Sequence, residues 1–130
     1  MATMLPRLFF KHFSETGFLA EIGAKKIGFL IGFFSAKYDS EAYIHFVGVH
    51  PDYRKIGIGR FLYHHFFDVT RKHGRNMVRC VTSPVNTSSI AFHQRMGFLI
   101  EPFAEHSSNM PIHRNYDGLG EDRVLFFKRL

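Results

Sequence analysis

Apolar residues recur along this chain at strand spacing in six short segments. Each segment is rich in aromatic and β-branched residues and is bounded by glycine, proline or polar residues, which is typical of β-strands. The predicted strands are residues 18–22, 26–36, 42–49, 77–82, 98–101 and 123–128. Residues 23–26, between the first two, have the composition of a hairpin turn.

Helical spacing predicts three further elements. In residues 59–73, apolar side chains return every three or four positions, and Gly74 follows as a stop. Residues 88–96 form a second predicted helix, which ends before Gly97. Residues 5–13 fit both spacings, and we predict a short helix there. The predicted apolar face of the longest helix consists of Phe61, Leu62, Phe66 and Val69.

This order of elements, with two helices after the middle strands, indicates the α/β (α+β) class. We expect a mixed, mostly antiparallel central sheet with flanking helices. The length of 130 residues predicts a single domain over residues 1–130, and 45% apolar residues are enough to form a core. Residues 105–121 are polar and long for a loop, so we expect a functional or mobile segment there.

The cysteine content and the length of the apolar segments indicate where in the cell the protein is located. Cys80 is the single cysteine and has no partner for an internal disulfide, and the N-terminus lacks the order of a secretory signal. The longest apolar runs are far shorter than the roughly 20 residues that cross a bilayer. We therefore expect a cytoplasmic protein with no membrane partner.

The chain is basic, with a formal net charge of +6. An excess of positive charge favours an anionic partner, such as a polyphosphate cofactor, an acidic surface or a nucleic acid. The basic residues are scattered, however, and aromatic residues do not alternate with them as on a sheet that stacks single-stranded nucleic acid. We expect no nucleic-acid partner.

Phenylalanine is unusually frequent, with 16 residues, and most of them fall inside periodic segments. Rings at such positions are typical of core packing. The predicted core phenylalanines are Phe9, Phe10, Phe13, Phe29, Phe33, Phe66, Phe126 and Phe127.

The most specific local pattern is Arg-Lys-Ile-Gly-Ile-Gly-Arg over residues 54–60, between a predicted strand and a predicted helix. A glycine turn in this position directs several backbone N–H groups to one point, where the positive end of the helix dipole holds a phosphate. The pattern predicts a site for a phosphorylated cofactor. An ordinary turn containing two glycines is the alternative.

A second pattern lies about thirty residues further on, where Asn86 precedes the predicted helix that ends at Gly97-Phe98. With the Arg-x-x-Gly-x-Gly turn before it, residues 18–101 resemble the GNAT N-acetyltransferase superfamily. Either motif alone would be weak, because Gly-x-Gly is common in loops. The resemblance implies acetyl-CoA as cosubstrate. It also implies an N-terminally shortened version of the fold, since members usually carry a strand and one or two helices before the segment that begins here at Leu5.

Carried over position by position, the resemblance implies a set of cofactor-binding residues. Val47 and Val49 would contact the pantetheine arm through backbone groups, and Asn86 through its side chain, although Asn86 would also suit a helix cap. His93 stands four residues before Gly97, where many members place a tyrosine near the sulfur of CoA. The residues implied around the pyrophosphate are Arg54, Lys55, Ile56, Gly57, Ile58, Gly59 and Arg60.

Acetyl transfer to an amine requires a base, because an alkylammonium titrates near pH ~10.4. Tyr43 and His45 are two residues apart on a predicted strand and therefore share a face. In arylalkylamine N-acetyltransferases, which this segment resembles, both positions are histidines that help to deprotonate the amine. We predict His45 as base with Tyr43 as its partner, and Glu41 as the fallback base. Simple occupancy of a half-buried strand position is the alternative for His45.

His93 is the candidate acid for the leaving thiolate, because histidine titrates near neutral pH. A hydrogen bond to the cofactor or a role in helix capping are alternatives for this residue. Cys80 is expected to be a small buried apolar residue without chemistry. The other histidines show no spacing typical of a metal site, so no metal is predicted.

The sequence thus predicts an N-acetyltransferase that moves an acetyl group from acetyl-CoA to a primary amine by direct attack. The acceptor, a small molecule or a peptide, stays open, and so does the oligomeric state, with a homodimer as one option. The alternative is a non-catalytic acyl-CoA-binding or regulatory module, which the shortened N-terminus would favour. A basic nucleic-acid-binding protein is a third hypothesis, favoured only by net charge.

Overall fold

The computed structural model describes residues 8–14, 16–23, 25–102, 106–107 and 110–130. The chain divides into two compact units. The first unit contains residues 1–76 together with Leu130, and the second contains residues 77–129. The single domain over residues 1–130 that the chain length predicts stays a prediction.

The first unit is built on four antiparallel strands that follow one another in space as in sequence. They are β1 (Leu8–Ser14), β2 (Gly17–Ile22), β3 (Lys25–Phe34) and β4 (Glu41–Val49). Tight connections and alternating burial produce this meander, in agreement with the three strands predicted over residues 18–22, 26–36 and 42–49.

A single long helix packs on one face of these strands. A 3-10 helix (Pro51–Ile56) follows β4 and leads into α1 (Ile58–Lys72), one residue from the predicted bounds. Gly32 of β3 allows the close approach of α1, because a Cβ there would lie 2.6 Å from a ring carbon of Phe66. The buried residues of α1 are Ile58, Leu62, Tyr63, Phe66, Phe67 and Thr70.

The second unit combines an antiparallel group of strands with one helix. Its strands run in the spatial order β5-β9-β6, and β7 and β8 pair separately. The ring of His93 on the helix stacks on Phe126 of β9, with 4.8 Å between the ring centroids, so the helix packs on that strand. The elements are β5 (Met77–Thr82), α2 (Thr87–Arg95), β6 (Leu99–Ile100), β7 (His106–Ser107), β8 (Met110–Pro111) and β9 (Val124–Arg129).

The predicted helix over residues 5–13 is wrong. Residues 5–7 lie outside the described part of the chain, and the rest forms β1, which pairs with β2 from Leu8 opposite Ile22 to Ser14 opposite Gly17. The segment fitted both periodicities, and the neighbouring strand decided between them, because pairing satisfies backbone groups that a short isolated helix would leave exposed.

The predicted phenylalanine core is correct in part. Phe66 and Phe126 are buried, whereas Phe29 and Phe33 are exposed on the face of β3 opposite α1. Alternation along β3 directs Leu30 and Gly32 to the helix and these two rings away from it. The side chains of Phe9, Phe10 and Phe13 lie outside the described part of the structure.

Residues 105–121 contain structure of their own where they are described. β7 and β8 form a two-stranded ribbon, and the guanidinium of Arg123 donates to Asp117 (2.7 Å) and Glu121 (3.1 Å). These contacts tie the end of the segment to the start of β9. Neither α1 nor α2 is long and apolar enough to cross a bilayer, and the same is true of every helix in the described residues.

Candidate functional site

The predicted base lies at an irregularity in the pairing of β3 with β4. Ile31 pairs with Phe46, but the next β3 residue, Gly32, pairs with Ile44, so His45 has no Cα partner on β3. One extra residue in one strand is a β-bulge, which reverses the alternation beyond it. His45 and Phe46 are both exposed as a result, whereas Ala42 and Ile44 before the bulge are buried.

Tyr43 and His45 lie on the same face, as predicted, and both contact Phe33. The ring of Phe33 stacks on Tyr43 at 5.1 Å between centroids and meets the His45 ring edge-on at 6.3 Å. His45 also lies 4.2 Å from the Phe46 ring centroid. An exposed imidazole held between aromatic rings keeps access to solvent and to a substrate.

The glycine motif does not form one tight turn. His50 caps the 3-10 helix by accepting the Asp52 N–H at Nδ1 (3.2 Å), and the residues up to Ile56 are helical. Gly57 then adopts the left-handed conformation (φ 89°, ψ 16°), which L-residues other than glycine adopt at a cost. Only after it does α1 begin.

The N-terminus of α1 has the features of an anion site. Gly57 is its N-cap and has no side chain to accept from the first N–H groups, and the first turn contains no acidic residue. The carbonyl of Gly57 accepts from Phe61 N–H (3.0 Å), so the helix is hydrogen-bonded from its first turn. The N–H groups of residues 58–60 precede that bond and point out of the helix end.

Basic side chains accompany this helix end. Arg54 and Arg60 are exposed, and Arg54 Nε lies 3.4 Å from the carbonyl oxygen of Val49. Lys55 shares the motif, although its side chain is outside the described set. The motif over residues 54–60 thus has exposed basic residues at both ends, and Ile56 and Gly59 between them are half-buried.

Val47 and Val49 follow the bulge and pair with Leu30 and Gly28 of β3. Both are half-buried. The contacts between their backbone groups and the pantetheine arm stay a prediction.

In the second unit, Asn86 caps α2. Its Oδ1 accepts from Ser89 N–H and from the Ser88 hydroxyl, each at 3.2 Å. The helix-capping role that the sequence suggested for Asn86 is therefore confirmed. Its contact with the cofactor stays a prediction.

His93 lies on α2 in an aromatic environment and is 6% exposed. Phe126 stacks on its ring, and Phe98 meets it edge-on at 5.3 Å. Its Nδ1 lies 2.7 Å from the Ser89 carbonyl oxygen, which can only accept, so Nδ1 carries the proton. Burial lowers the pKa of His93, and the hydrogen bond to that carbonyl raises it by less. The effect of burial exceeds that of the hydrogen bond, so the balance favours a neutral ring, whereas an acid role needs the protonated one.

Cys80 is buried in β5, and burial raises the pKa of its thiol far above the ordinary value. A thiol in this state is unreactive, which agrees with the prediction. No group of three or more His, Cys, Asp or Glu side chains suited to a metal ion occurs within the described part of the chain.

Sequence reasoning missed two residues that hold the β4 site in place. Phe33 was predicted for the core, yet it is the ring that contacts both Tyr43 and His45. Arg75 was given no role by the sequence, yet its Nη1 donates to the carbonyl oxygens of Ser35 (3.0 Å), Tyr38 (3.1 Å) and Glu41 (2.8 Å). Strand alternation groups Phe33 with Phe29 and Ile31 on one face of β3, but it does not say whether that face is covered, and nothing local signals Arg75.

Solved structures with similar folds are acetyltransferases. The Ard1 protein of Thermoplasma volcanium matches with a TM-score of 0.73 and 21% identity, covering 88% of this chain and 70% of its own. The ribosomal-protein-S18-alanine N-acetyltransferase of Escherichia coli matches with a TM-score of 0.69 and 24% identity, over 98% of this chain and 83% of its own. Naa50 of Arabidopsis thaliana, solved with the bisubstrate analogue CoA-Ac-MVNAL, matches with a TM-score of 0.71 and 23% identity, over 89% and 74%.

These likenesses show the fold, and the mixed, mostly antiparallel architecture with flanking helices is confirmed. A comparison with curated proteins found no match. The sequence model of the acetyltransferase (GNAT) family matches residues 2–98, which includes β4, the glycine motif and α2. Because this match extends over more than half of the chain, the chain belongs to the GNAT family of acetyltransferases.

Proposed function

We propose that this protein transfers the acetyl group of acetyl-CoA to a primary amine by direct attack, without an acyl-enzyme stage. The uncapped N-terminus of α1, directly after left-handed Gly57, carries the proposal. This helix end offers the backbone N–H donors that a pyrophosphate requires. It also lies within the motif that the family resemblance assigns to pyrophosphate binding.

The residues around this helix end suit a diphosphate in charge and in hydrogen-bond donors. Outward N–H groups at residues 58–60 and the helix dipole favour an anion, and no carboxylate in the first turn of α1 opposes it. Exposed Arg54 and Arg60 add positive charge, and Lys55 lies between them in sequence. In our proposal Ile56, Gly57, Ile58 and Gly59 supply the backbone of the cradle.

Acetyl-CoA, when bound, supplies the acyl group as an activated thioester. His45 is proposed to take the proton from the attacking ammonium group, directly or through water, and Tyr43 to assist it on the same face. The exposure of His45 supports this role, because a base must reach its substrate. Glu41, half-buried at the start of β4, is the fallback base.

The remaining assignments rest on the resemblance and on local chemistry. Val47 and Val49 would contact the pantetheine arm through their backbone. The cap of α2 uses the Asn86 oxygen, so a hydrogen bond from Asn86 to the cofactor would come from its amide nitrogen. His93 is retained as a candidate acid or cofactor contact, although its neutral state favours the second of these roles.

We place the reaction in the cytoplasm, on the support of the lone, buried Cys80. The acceptor in this proposal is an amine of a small molecule or a peptide. A peptide acceptor draws support from the peptide portion of the analogue bound to Naa50.

Two measurements test this function. Calorimetry with acetyl-CoA should show binding that is lost when Gly57 and Gly59 are both replaced. Thiol release from acetyl-CoA, followed over a panel of small amines and peptides, should show amine-dependent turnover. Absence of binding overturns the proposal, whereas binding without turnover on any amine favours the non-catalytic acyl-CoA-binding module.

A further inference from the structure

Four large apolar side chains share the outer face of β3 and β4, opposite α1, and we call this group the apolar ledge. Their exposed fractions run from 36% to 57%, which is unusual for side chains of this size so close together. The ledge consists of Phe29, Ile31, Phe33 and Phe46.

Contacts with β4 hold the ledge in place. The Phe29 ring lies against Gly48, where any Cβ would collide with ring carbons Cε1 and Cζ. Phe33 stacks nearly parallel on Tyr43, with an interplanar angle of 18°. Ile31 lies opposite Phe46 in the strand register. An exposed surface whose rings are already positioned loses little conformational entropy on binding.

The bulge connects the ledge to the candidate base. Because His45 is the extra residue of β4, both it and Phe46 emerge on the outer face, with 4.2 Å between their ring centroids. The Phe33 ring also meets the His45 ring edge-on, with 6.3 Å between their centroids. A substrate amine within reach of the His45 imidazole therefore has the ledge beside it.

The ledge is also free of charge. Residues 28–34 of β3 and 42–49 of β4 contain no Asp, Glu, Lys or Arg, and Glu41 is the one carboxylate of β4. Strand alternation places Glu41 on the face of Tyr43, at the start of β4. Beyond Glu41, a cationic or heavily hydroxylated acceptor would find no charged side chain on these strand segments, whereas an apolar one would bury rings that are now in water.

We propose, on the basis of the proposed function, that the apolar ledge binds a bulky apolar group next to the acceptor amine and so selects the acceptor. The same chemistry occurs in two sources: a free aromatic or branched-alkyl amine, and the first residue of a peptide with an apolar side chain. Ring burial of this extent predicts a preference of about 10–100-fold in kcat/KM over a small polar acceptor.

The test compares acceptors in matched pairs at saturating acetyl-CoA. Phenethylamine and 3-methylbutylamine are set against ethanolamine, and tripeptides beginning with Phe or Leu against one beginning with Ser, so that the two sources are separated. Phe46→Ser should bring the selectivity ratio close to one, mainly by raising KM for the apolar acceptors. Leu119→Ser removes another exposed apolar side chain, in the second unit and 96% exposed, and should leave the ratio unchanged.

The outcomes separate this inference from the function beneath it. Turnover of polar and apolar acceptors at equal rates, or an unchanged ratio in Phe46→Ser, overturns the inference alone. If no amine is turned over, the proposed function fails. Saturation-transfer NMR with phenethylamine then tests the ledge directly, and equal signals from wild type and Phe46→Ser overturn it. Sedimentation that shows a dimer dissociated by Phe46→Ser, without acceptor selectivity, assigns the face to a second copy of the chain instead.

Discussion

Two histidines, one in each unit, occupy opposite environments. His45 lies exposed at a bulge in β4, edge-on to Phe33 and close to Phe46. His93 lies buried on α2, stacked on Phe126 and hydrogen-bonded through Nδ1 to Ser89. Both have aromatic neighbours, so the residue types around them do not explain the difference.

Water access distinguishes the two sites. An exposed imidazole can take a proton from a substrate and pass it to solvent. In contrast, the buried imidazole is kept neutral, because burial lowers its pKa, and its proton already serves the Ser89 carbonyl. The comparison favours His45 for proton transfer and His93 for packing and orientation.

The strongest test of this contrast is His45→Ala. We expect kcat to fall by about 10²–10³-fold, as for the loss of a general base, with little change in CoA affinity. Steady-state kinetics together with calorimetry separate the two effects. His64→Ala removes an exposed histidine of α1 and should behave as wild type. Equal losses in turnover and CoA affinity would remove His45 from the role of base.

The support beneath the β4 site is tested by Arg75→Met. The substitution removes donors to three carbonyl oxygens and a guanidinium 4.8 Å over the Phe34 ring. We expect a loss of about 2–3 kcal/mol in the free energy of unfolding, because hydrogen bonds from a charged donor are strong. Urea denaturation measures it.

The matched control is Arg71→Met, which breaks only an exposed ion pair with Asp68 and should cost less than about 1 kcal/mol. Equal costs for the two variants would show that the carbonyl contacts of Arg75 contribute nothing special.

Two glycine substitutions distinguish a loss of phosphate binding from a loss of stability caused by backbone strain. Gly57 (φ 89°) and Gly74 (φ 72°) flank α1 in the left-handed region, where alanine costs about 1–2 kcal/mol. Both Gly57→Ala and Gly74→Ala should therefore lose stability. Only Gly57→Ala should weaken acetyl-CoA binding, by about tenfold, because only its amides adjoin the proposed cradle. Calorimetry measures the affinity for acetyl-CoA. Equal affinities of Gly57→Ala and Gly74→Ala would contradict the proposed phosphate cradle.

The smallest expected effect concerns the pH dependence of stability through His93. Its pKa is lowered in the folded state, so the unfolded chain binds more protons in the acidic range, and stability decreases as the pH is lowered. The neutral ring contributes fully above the unfolded value of about 6.5, and the contribution declines as the pH drops from there through the folded pKa.

His93→Phe keeps a ring for the stack on Phe126 and removes the titration. We expect a shallower loss of stability between pH 7 and pH 5, measured by denaturant unfolding, and turnover within a few-fold of wild type. Turnover lowered as far as in His45→Ala would restore His93 as the acid and end the contrast between the two histidines.

Local patterns predicted most elements because their causes are local. Gly74 and Gly97 end helices through positive φ, and the period of apolar residues separates α1 from the strands around it. Residues 5–13 fitted both periods, and partner strand β2 decided the outcome. Phe29 and Phe33 were misplaced because the sequence does not say which face of β3 the helix covers.

The candidate site divides in the same way. The position of the glycine motif and the shared face of Tyr43 and His45 follow from spacing, since strands alternate and the left-handed backbone of residue 57 favours glycine. The 3-10 helix inside the motif was not predicted. The bulge at His45 depends on the register with β3, and the neutral state of His93 depends on burial by Phe126 and Phe98. The sequence by itself determined which residues are offered for chemistry. The tertiary structure decided which of them meet water, because burial and register arise only when distant segments pack together.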